Sequence, residues 1–383
     1  MGNEKISESK ESNYFIKERG IPKGCQQCLK GQKSVLFLNG ICQKPDQCSW
    51  YCPISEERRG KDISFINEIK IEKKSDILKE LKKSGSKGMS ITGGEPLIGK
   101  NIKKTIEYIH LVKTQFNEKF HIHLYTNGIN FNHTIAEDLS KAGLDEIRFH
   151  PSKEKWSNIK IAMNKGMVVG AEVPIIPKAN YLKELYEFIF YLDKIGADFI
   201  NLNEFEYCFP NSQSLKKRGF TLKKGTLASV NNSREKALEL IQKTSSKTRL
   251  KIHFCSIRAK DYYQLKNRYF NRAQNIKLPY EEITEEGLLL YGQIEGDELE
   301  LKLLFDDLLY ESQIPSEFLV FEKDSIKIPY YIMIDDKFLD FLNQYEVKGF
   351  ILEVLPFRKK PYRQIAEKTP INVFKNEIEG NES

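Results

Sequence analysis

The feature that most constrains this 383-residue chain is a repeated alternation of short β-branched or aromatic runs with longer amphipathic stretches, from Ser34 onward. Strands are expected at Ser34–Leu38, Gly88–Thr92, His121–Tyr125, Glu146–Phe149, Met167–Val173 and Phe199–Asn203. Helices are expected between them, at Asp76–Ser84, Ile102–Phe116, Thr134–Ala142, around Trp156–Asn164 and at Tyr181–Ile195. Strand–helix repeats in one direction require right-handed crossovers and a parallel sheet, with loops gathered at the strands' C-terminal ends. After a polar insertion from Tyr207 to Ser233, the pattern resumes with a helix at Arg234–Lys243, a seventh strand at Leu250–Cys255 and a closing helix at Lys260–Asn275.

Beyond Lys277 the texture changes. Leu288–Gln293, Glu298–Leu304 and Glu317–Glu322 are expected as strands and Lys337–Gln344 as a helix. The domain reading is therefore an N-terminal segment over residues 1–33, an α/β barrel-like domain over 34–275, a smaller α+β domain over 276–375 and a disordered tail over 376–383. No run approaches the ~18 apolar residues of a membrane span, and the N-terminus lacks the apolar core of a signal peptide, so a cytoplasmic protein with no membrane partner is expected. The net charge of +7 is mild and interleaved with acids. It permits an acidic partner such as RNA without demanding one, and the basic run from Arg358 to Arg363 reads as a solvated surface.

Five of the seven cysteines fall between Cys25 and Cys52. In a reducing compartment such clustering points to metal or redox chemistry rather than disulfides. Cys42, Cys48 and Cys52 stand in a loop after the first expected strand, and three thiolates can hold three irons of a cubane cluster while leaving the fourth iron open. Zinc is the alternative on spacing alone, since Cys25 and Cys28 lie close by. Gly93-Gly94-Glu95-Pro96 follows the second expected strand, and Tyr125-Thr126-Asn127-Gly128 ends the third. Glycines let backbone carbonyls and amides approach a ligand without a Cβ in the way.

This layout resembles the radical S-adenosylmethionine superfamily, in which a three-cysteine loop follows the first strand of a partial (β/α)6 barrel. The usual spacing there is C-x-x-x-C-x-x-C, so this chain is longer by two residues in the first gap and one in the second. The likeness is nearest to uncharacterised archaeal members related to pyruvate formate-lyase activating enzymes, with H-L-Y-T-N-G and H-F-C-S segments. It implies a [4Fe–4S] cluster on Cys42, Cys48 and Cys52, and S-adenosylmethionine held by Tyr51, Gly93, Gly94, Glu95, Pro96, Thr126, Asn127 and Glu172. It also implies an external one-electron reductant of the flavodoxin or ferredoxin type. Reductive cleavage of the cofactor to a 5′-deoxyadenosyl radical would then abstract hydrogen from a substrate, with a tRNA or a protein as the macromolecular candidates. The reading from a different class is a non-catalytic zinc-binding, RNA-binding protein.

Other polar residues are expected at strand ends. His121 and His123 share one face of the third strand, Arg148 and His150 close the fourth, and Asn203, Glu204 and Glu206 follow the sixth, as substrate candidates or as a self-satisfied polar interior. Cys25, Cys28, Cys208 and Cys255 are candidates for a second site holding an auxiliary cluster or zinc. The segment from Lys260 to Arg268 puts polar groups beside that end of the closing helix.

Overall fold

The computed structural model describes residues 5–43, 48–312 and 314–381. The chain divides into two compact units, one running to Lys82 and resuming over Ser86–Leu265, the other comprising Lys83–Gly85 and the chain from Lys266.

The first unit is built on seven parallel strands, β1 (Lys33–Phe37), β2 (Gly88–Thr92), β3 (His121–Thr126), β4 (Glu146–Phe149), β5 (Val168–Ile175), β6 (Phe199–Glu204) and β7 (Lys251–Cys255). They pair in chain order, each parallel to the next. Antiparallel hairpins cap both edges. Tyr14–Ile16, itself paired with Ile6–Glu8, lies on β7, and Phe65–Ile66, paired with Ile69–Lys70, lies on β1. Because the two ends of the sheet do not pair with each other, the result is a partial barrel with an additional strand, the fold class expected from the sequence.

Side-chain alternation divides this barrel into two environments. Ile122 and Leu124 of β3, Ile147 and Phe149 of β4, Val169 and Ala171 of β5, and Ile200 and Leu202 of β6 belong to one buried apolar cluster. That cluster also takes Ile109 and Val112 of the helix Lys100–Phe116, Leu139 of the helix His133–Ala142 and Ile189 and Leu192 of the helix Ala179–Ile195. The alternate positions, His121, His123, Glu146, Arg148, Asn201 and His253, are polar and buried. Gly170 sits between these worlds: a Cβ there would lie 2.6 Å from the Phe199 ring.

Several local expectations change. The segment after β4 is a 3₁₀ helix over Lys153–Ala162. The polar insertion contains a short helix, Ser212–Lys217, and isolated bridges Glu206–Ser229 and Leu222–Val230. The closing helix begins as a π-turn over Arg258–Gln264 before Leu265–Ile276. The N-terminal C-x-x-C is not a loop knuckle but lies on α1 (Lys23–Leu29).

In the second unit, Leu289–Gly296 is the central strand of an antiparallel sheet, flanked by Ser325–Ile328 and Val347–Val354. Glu298–Leu304, expected as a strand, is instead part of the helix Glu298–Tyr310. Its Leu301, Leu304 and Leu308 are buried at helical spacing, and Asp297 caps it by accepting from the Leu299 N–H. Of the tail expected to be disordered over 376–383, residues 376–381 belong to the helix Ile371–Asn381, whose Ile371 and Phe374 pack into the apolar cluster of this unit, and residues 382 and 383 lie outside the described residues.

Candidate active site

A cavity of about 330 Å³ lies at the C-terminal ends of the parallel strands. Cys42, Cys48 and Cys52 line it, together with Gly93, Gly94, Glu95, Thr126, Asn127, Tyr51 and Glu172, so all but Pro96 of the residues implied for cluster and cofactor open onto one space. Among the described residues, no three His, Cys, Asp or Glu side chains stand close enough to hold one metal ion, this trio included. What unites the three thiols is the cavity. Three soft donors facing a space bordered by glycines suit an iron–sulfur cluster and its ligand.

The loop is tied to its neighbours by specific bonds. The Gly94 N–H donates to the Asn39 carbonyl at 2.6 Å and the Glu95 N–H to the Ile41 carbonyl at 2.7 Å. A Cβ at Gly93 would stand 2.5 Å from the Asn39 oxygen, and one at Gly94 would stand 2.2 Å from the Ile41 oxygen. The glycines are therefore required by the backbone that leads into Cys42, with Gly93 also at φ +136°.

Glu95 is buried and holds the second and third strand ends together. Its carboxylate accepts from Thr126 Oγ1 at 2.7 Å, Asn127 N at 2.8 Å and Leu97 N at 2.9 Å. Burial pushes its pKa above the usual carboxylate value, against the pull of those three donors. Glu95→Gln turns one acceptor edge into a donor facing an N–H, and should cost about 1–3 kcal/mol. Thermal unfolding of the metal-free protein reads this, and an unchanged midpoint would mean the carboxylate is dispensable. Asn127 Oδ1 in turn accepts from Gln43 Nε2 at 3.0 Å, joining the cysteine loop to β3.

Tyr51 lies 3.0 Å by its hydroxyl from His150 Nε2, and its carbonyl accepts from Asn211 of the insertion. Burial lowers the His150 pKa to about 4, so the imidazole is neutral near neutral pH. Trp50 stacks on Phe220, with ring centroids 5.9 Å apart. A second cavity of about 360 Å³, lined by Trp50, Lys153, Trp156 and Tyr181, shares Tyr51, His150 and Pro174 with the first.

Beneath the cavity the barrel interior holds a dense charge network. Arg148 donates to Glu146 by Nε at 2.6 Å, to Glu172 by Nη1 at 2.6 Å and to the Tyr125 hydroxyl at 3.2 Å. Glu172 also accepts from Asn201 at 3.0 Å and Asn203 at 2.9 Å. Burial would raise the Glu172 pKa, but Arg148 and the two amides hold it below the usual value. Lys33 lies 2.7 Å from His121 Nδ1, and burial lowers its pKa to about 7.

The four remaining cysteines are spread through this unit. Cys25 faces the interior, where its Sγ accepts from Asn201 at 3.2 Å and Arg148 at 3.5 Å. Burial raises the pKa of Cys25 and of Cys28, keeping both as thiols. Cys208 follows β6, with its N–H on Asn211 and its pKa pushed up to about 12 by burial and Glu206. Cys255 ends β7, where burial likewise pushes it to about 12. Among the described residues no three of these thiols stand close enough to hold one metal ion, as is also true of Cys42, Cys48 and Cys52. Cys25 takes N–H donors from an amide and a guanidinium.

Sequence reasoning passed over Asn39, Asn101 and Gln43. Asn39 bonds Asp62 and Asn101, and Asn101 donates to the Glu95 carbonyl, bracing the loop from behind. Single asparagines carry no spacing signal, so nothing in the chain marked them.

The profile of the Radical SAM superfamily matches residues 46–189. A provisionally assigned glycyl-radical enzyme activating enzyme of Methanocaldococcus jannaschii is 38% identical over 345 residues, covering 87% of each chain. A GTP 3′,8-cyclase of Syntrophomonas wolfei is 30% identical over 105 residues, 27% of this chain and 31% of that one. Among solved structures, SuiB of Streptococcus suis with S-adenosylmethionine bound is similar at 13% identity and TM-score 0.41, over 67% of this chain and 59% of that one. That score is too low to carry weight. The archaeal relative is similar over most of both chains, and the superfamily profile takes in Cys48, Cys52 and β2 to β5 with the loops that follow them. The chain belongs to the radical S-adenosylmethionine superfamily and is an enzyme of that class, with S-adenosylmethionine and a [4Fe–4S] cluster as its cofactors.

Proposed function

We propose that this protein is an activating enzyme that takes a hydrogen atom from a glycine of a partner polypeptide, using a cluster ligated by Cys42, Cys48 and Cys52. The observation that carries this reading is the opening of all three thiols, Gly93-Gly94-Glu95 and Thr126-Asn127 onto one cavity. The choice of a polypeptide glycine rests on the assignment of the archaeal relative.

When bound, the cluster and S-adenosylmethionine supply one-electron reductive cleavage of the C5′–S bond, giving methionine and a 5′-deoxyadenosyl radical. The chain's own residues bind and orient. Three thiolates would hold three irons, and the Gly93–Glu95 turn with Thr126 and Asn127 would border the cofactor, in a cavity that Tyr51 and His150 also line. Glu172, kept ionised by Arg148, offers a carboxylate to cofactor hydroxyls. An external flavodoxin- or ferredoxin-type donor supplies the electron.

No observation favours RNA. In the basic run, Arg358 and Arg363 are committed to buried Glu281, with Arg358 Nη1 2.6 Å and Arg363 Nη2 3.3 Å from its Oε1.

The test is to replace Cys42, Cys48 and Cys52 together by Ala and reconstitute anaerobically. Wild type should hold about four iron per chain and shift its reduced-cluster paramagnetic resonance on adding S-adenosylmethionine. The triple variant should lose both. A cofactor-dependent shift surviving in that variant would overturn the ligand assignment.

A further inference from the structure

Two polar groups in the cavity are left without partners, and they have opposite hydrogen-bonding character. Asn203 stands at the end of β6, where Nδ2 donates to Glu172 Oε1 at 2.9 Å. A carboxylate held ionised is acceptor only, so this bond fixes the amide orientation and leaves Oδ1 as the free edge. That oxygen is buried and has no hydrogen-bond partner. A buried acceptor of this kind is costly unless something donates to it.

Lys260 is on the π-turn after β7 and lines the same cavity. Its backbone N–H bonds the Ser256 carbonyl, while its ammonium makes no ion pair or side-chain hydrogen bond among the described residues. Two of the acids that line the cavity are engaged elsewhere. Glu172 is on Arg148 at 2.6 Å and Glu204 on Arg234 at 3.4 Å. The ammonium still acts through space on Glu172, lowering its pKa, which places Lys260 on the Asn203–Glu172 side of the cavity.

An unpaired donor and an unpaired acceptor bordering one cavity are the complement of a peptide backbone, which presents a carbonyl and an N–H. A phosphate or carboxylate would satisfy Lys260 but leave the Asn203 oxygen facing negative charge.

We propose that Lys260 and Asn203 Oδ1 form a backbone-recognition pair that holds an extended substrate peptide beside the cofactor, Lys260 donating to a carbonyl and Asn203 accepting from an N–H. The inference rests on the glycine-directed function above and adds how the glycine is held. Glycine suits such a grip, because recognition through backbone alone asks nothing of a side chain.

The probe is an acetylated, amidated heptapeptide of alanines with one central α,α-dideuterioglycine, added to anaerobic holoenzyme with S-adenosylmethionine and dithionite as the one-electron donor. Binding is measured by equilibrium dialysis of the radiolabelled peptide, and hydrogen transfer by deuterium in 5′-deoxyadenosine. Lys260→Met, at a side chain with no partner to lose, should weaken binding about tenfold. A second peptide, with the amide nitrogens of the glycine and the following alanine methylated, should bind wild type about tenfold more weakly without any change to the protein. If deuterium is transferred while both perturbations leave binding within twofold, the glycine reading stands and the recognition pair falls. If both weaken binding and no deuterium moves, the pair stands and the glycine reading falls. If wild type neither binds the peptide nor takes deuterium from it, both are overturned.

Discussion

Replacing Arg148 by Met is expected to destabilise the protein by about 3–5 kcal/mol, enough to prevent accumulation of folded chain if its stability is ordinary for a domain. The guanidinium is buried and is the main counter-charge of two carboxylates, the buried Glu146 and the largely buried Glu172. Burial alone would lower its pKa, but Cys25, Glu146, Tyr125 and Glu172, in that order, raise it well above normal. A methionine of similar length fills the space but leaves both carboxylates unpaired. They would have to take up protons or admit water. Removing one partner of a buried pair costs far more than exchanging the whole group for apolar residues. The control is therefore Arg148→Met combined with Glu146→Gln and Glu172→Gln, which should recover a large part of the loss. Chemical denaturation of metal-free protein measures each, and equal stability of the single and triple variants would refute the pairing account.

Acid should unfold this protein early. Burial lowers the His253 pKa to about 3 and holds His123 well below its ordinary 6.5. Both imidazoles are thus neutral in the folded protein and charge readily only when it unfolds. For such depressed bases the stabilising effect is full above pH 6.5 and is lost as the pH falls towards the folded value. For His253 the loss is about 2 kcal/mol at pH 5 and about 4 kcal/mol at pH 3.5. His123 acts in the same direction. Glu146, lowered to about 2 by Arg148 and His121 against the effect of burial, adds its own loss as the pH falls from about 4.5 towards 2. The midpoint of thermal unfolding should fall steeply between pH 6.5 and 3.5. His253→Gln should flatten that slope, since glutamine can still donate to Asn201 Oδ1, now 3.2 Å from His253 Nδ1, yet does not titrate. A slope identical to wild type would exclude His253 as a source.

The amino-acid sequence alone determined the barrel because its signals are local. His121–Thr126 alternates polar and apolar residues, and that two-residue period survives in the structure as interior and helix-facing sides of one strand. Gly93-Gly94-Glu95 and Thr126-Asn127 were legible for the same reason, being short runs at strand ends. Even there the physics differed in part, since the glycines make room for the Asn39–Ile41 backbone. Glu298–Leu304 shows the limit of local reading. Its alternating leucines suit a strand, but the Asp297 cap and the burial of Leu301, Leu304 and Leu308 together make it a helix.

Only tertiary structure decided what the polar interior does. Cys25 could be read as half of a metal site until α1 set it against Asn201 and Arg148, 176 and 123 residues away in the chain. Along the chain Asn203 and Lys260 were marked only as polar residues near strand ends. Their meaning comes from Glu172 fixing one amide edge and from the absence of any acid bonded to the ammonium among the described residues. Periodicity and turn chemistry are written along the chain, whereas desolvation and charge pairing depend on which distant groups share a low-dielectric space.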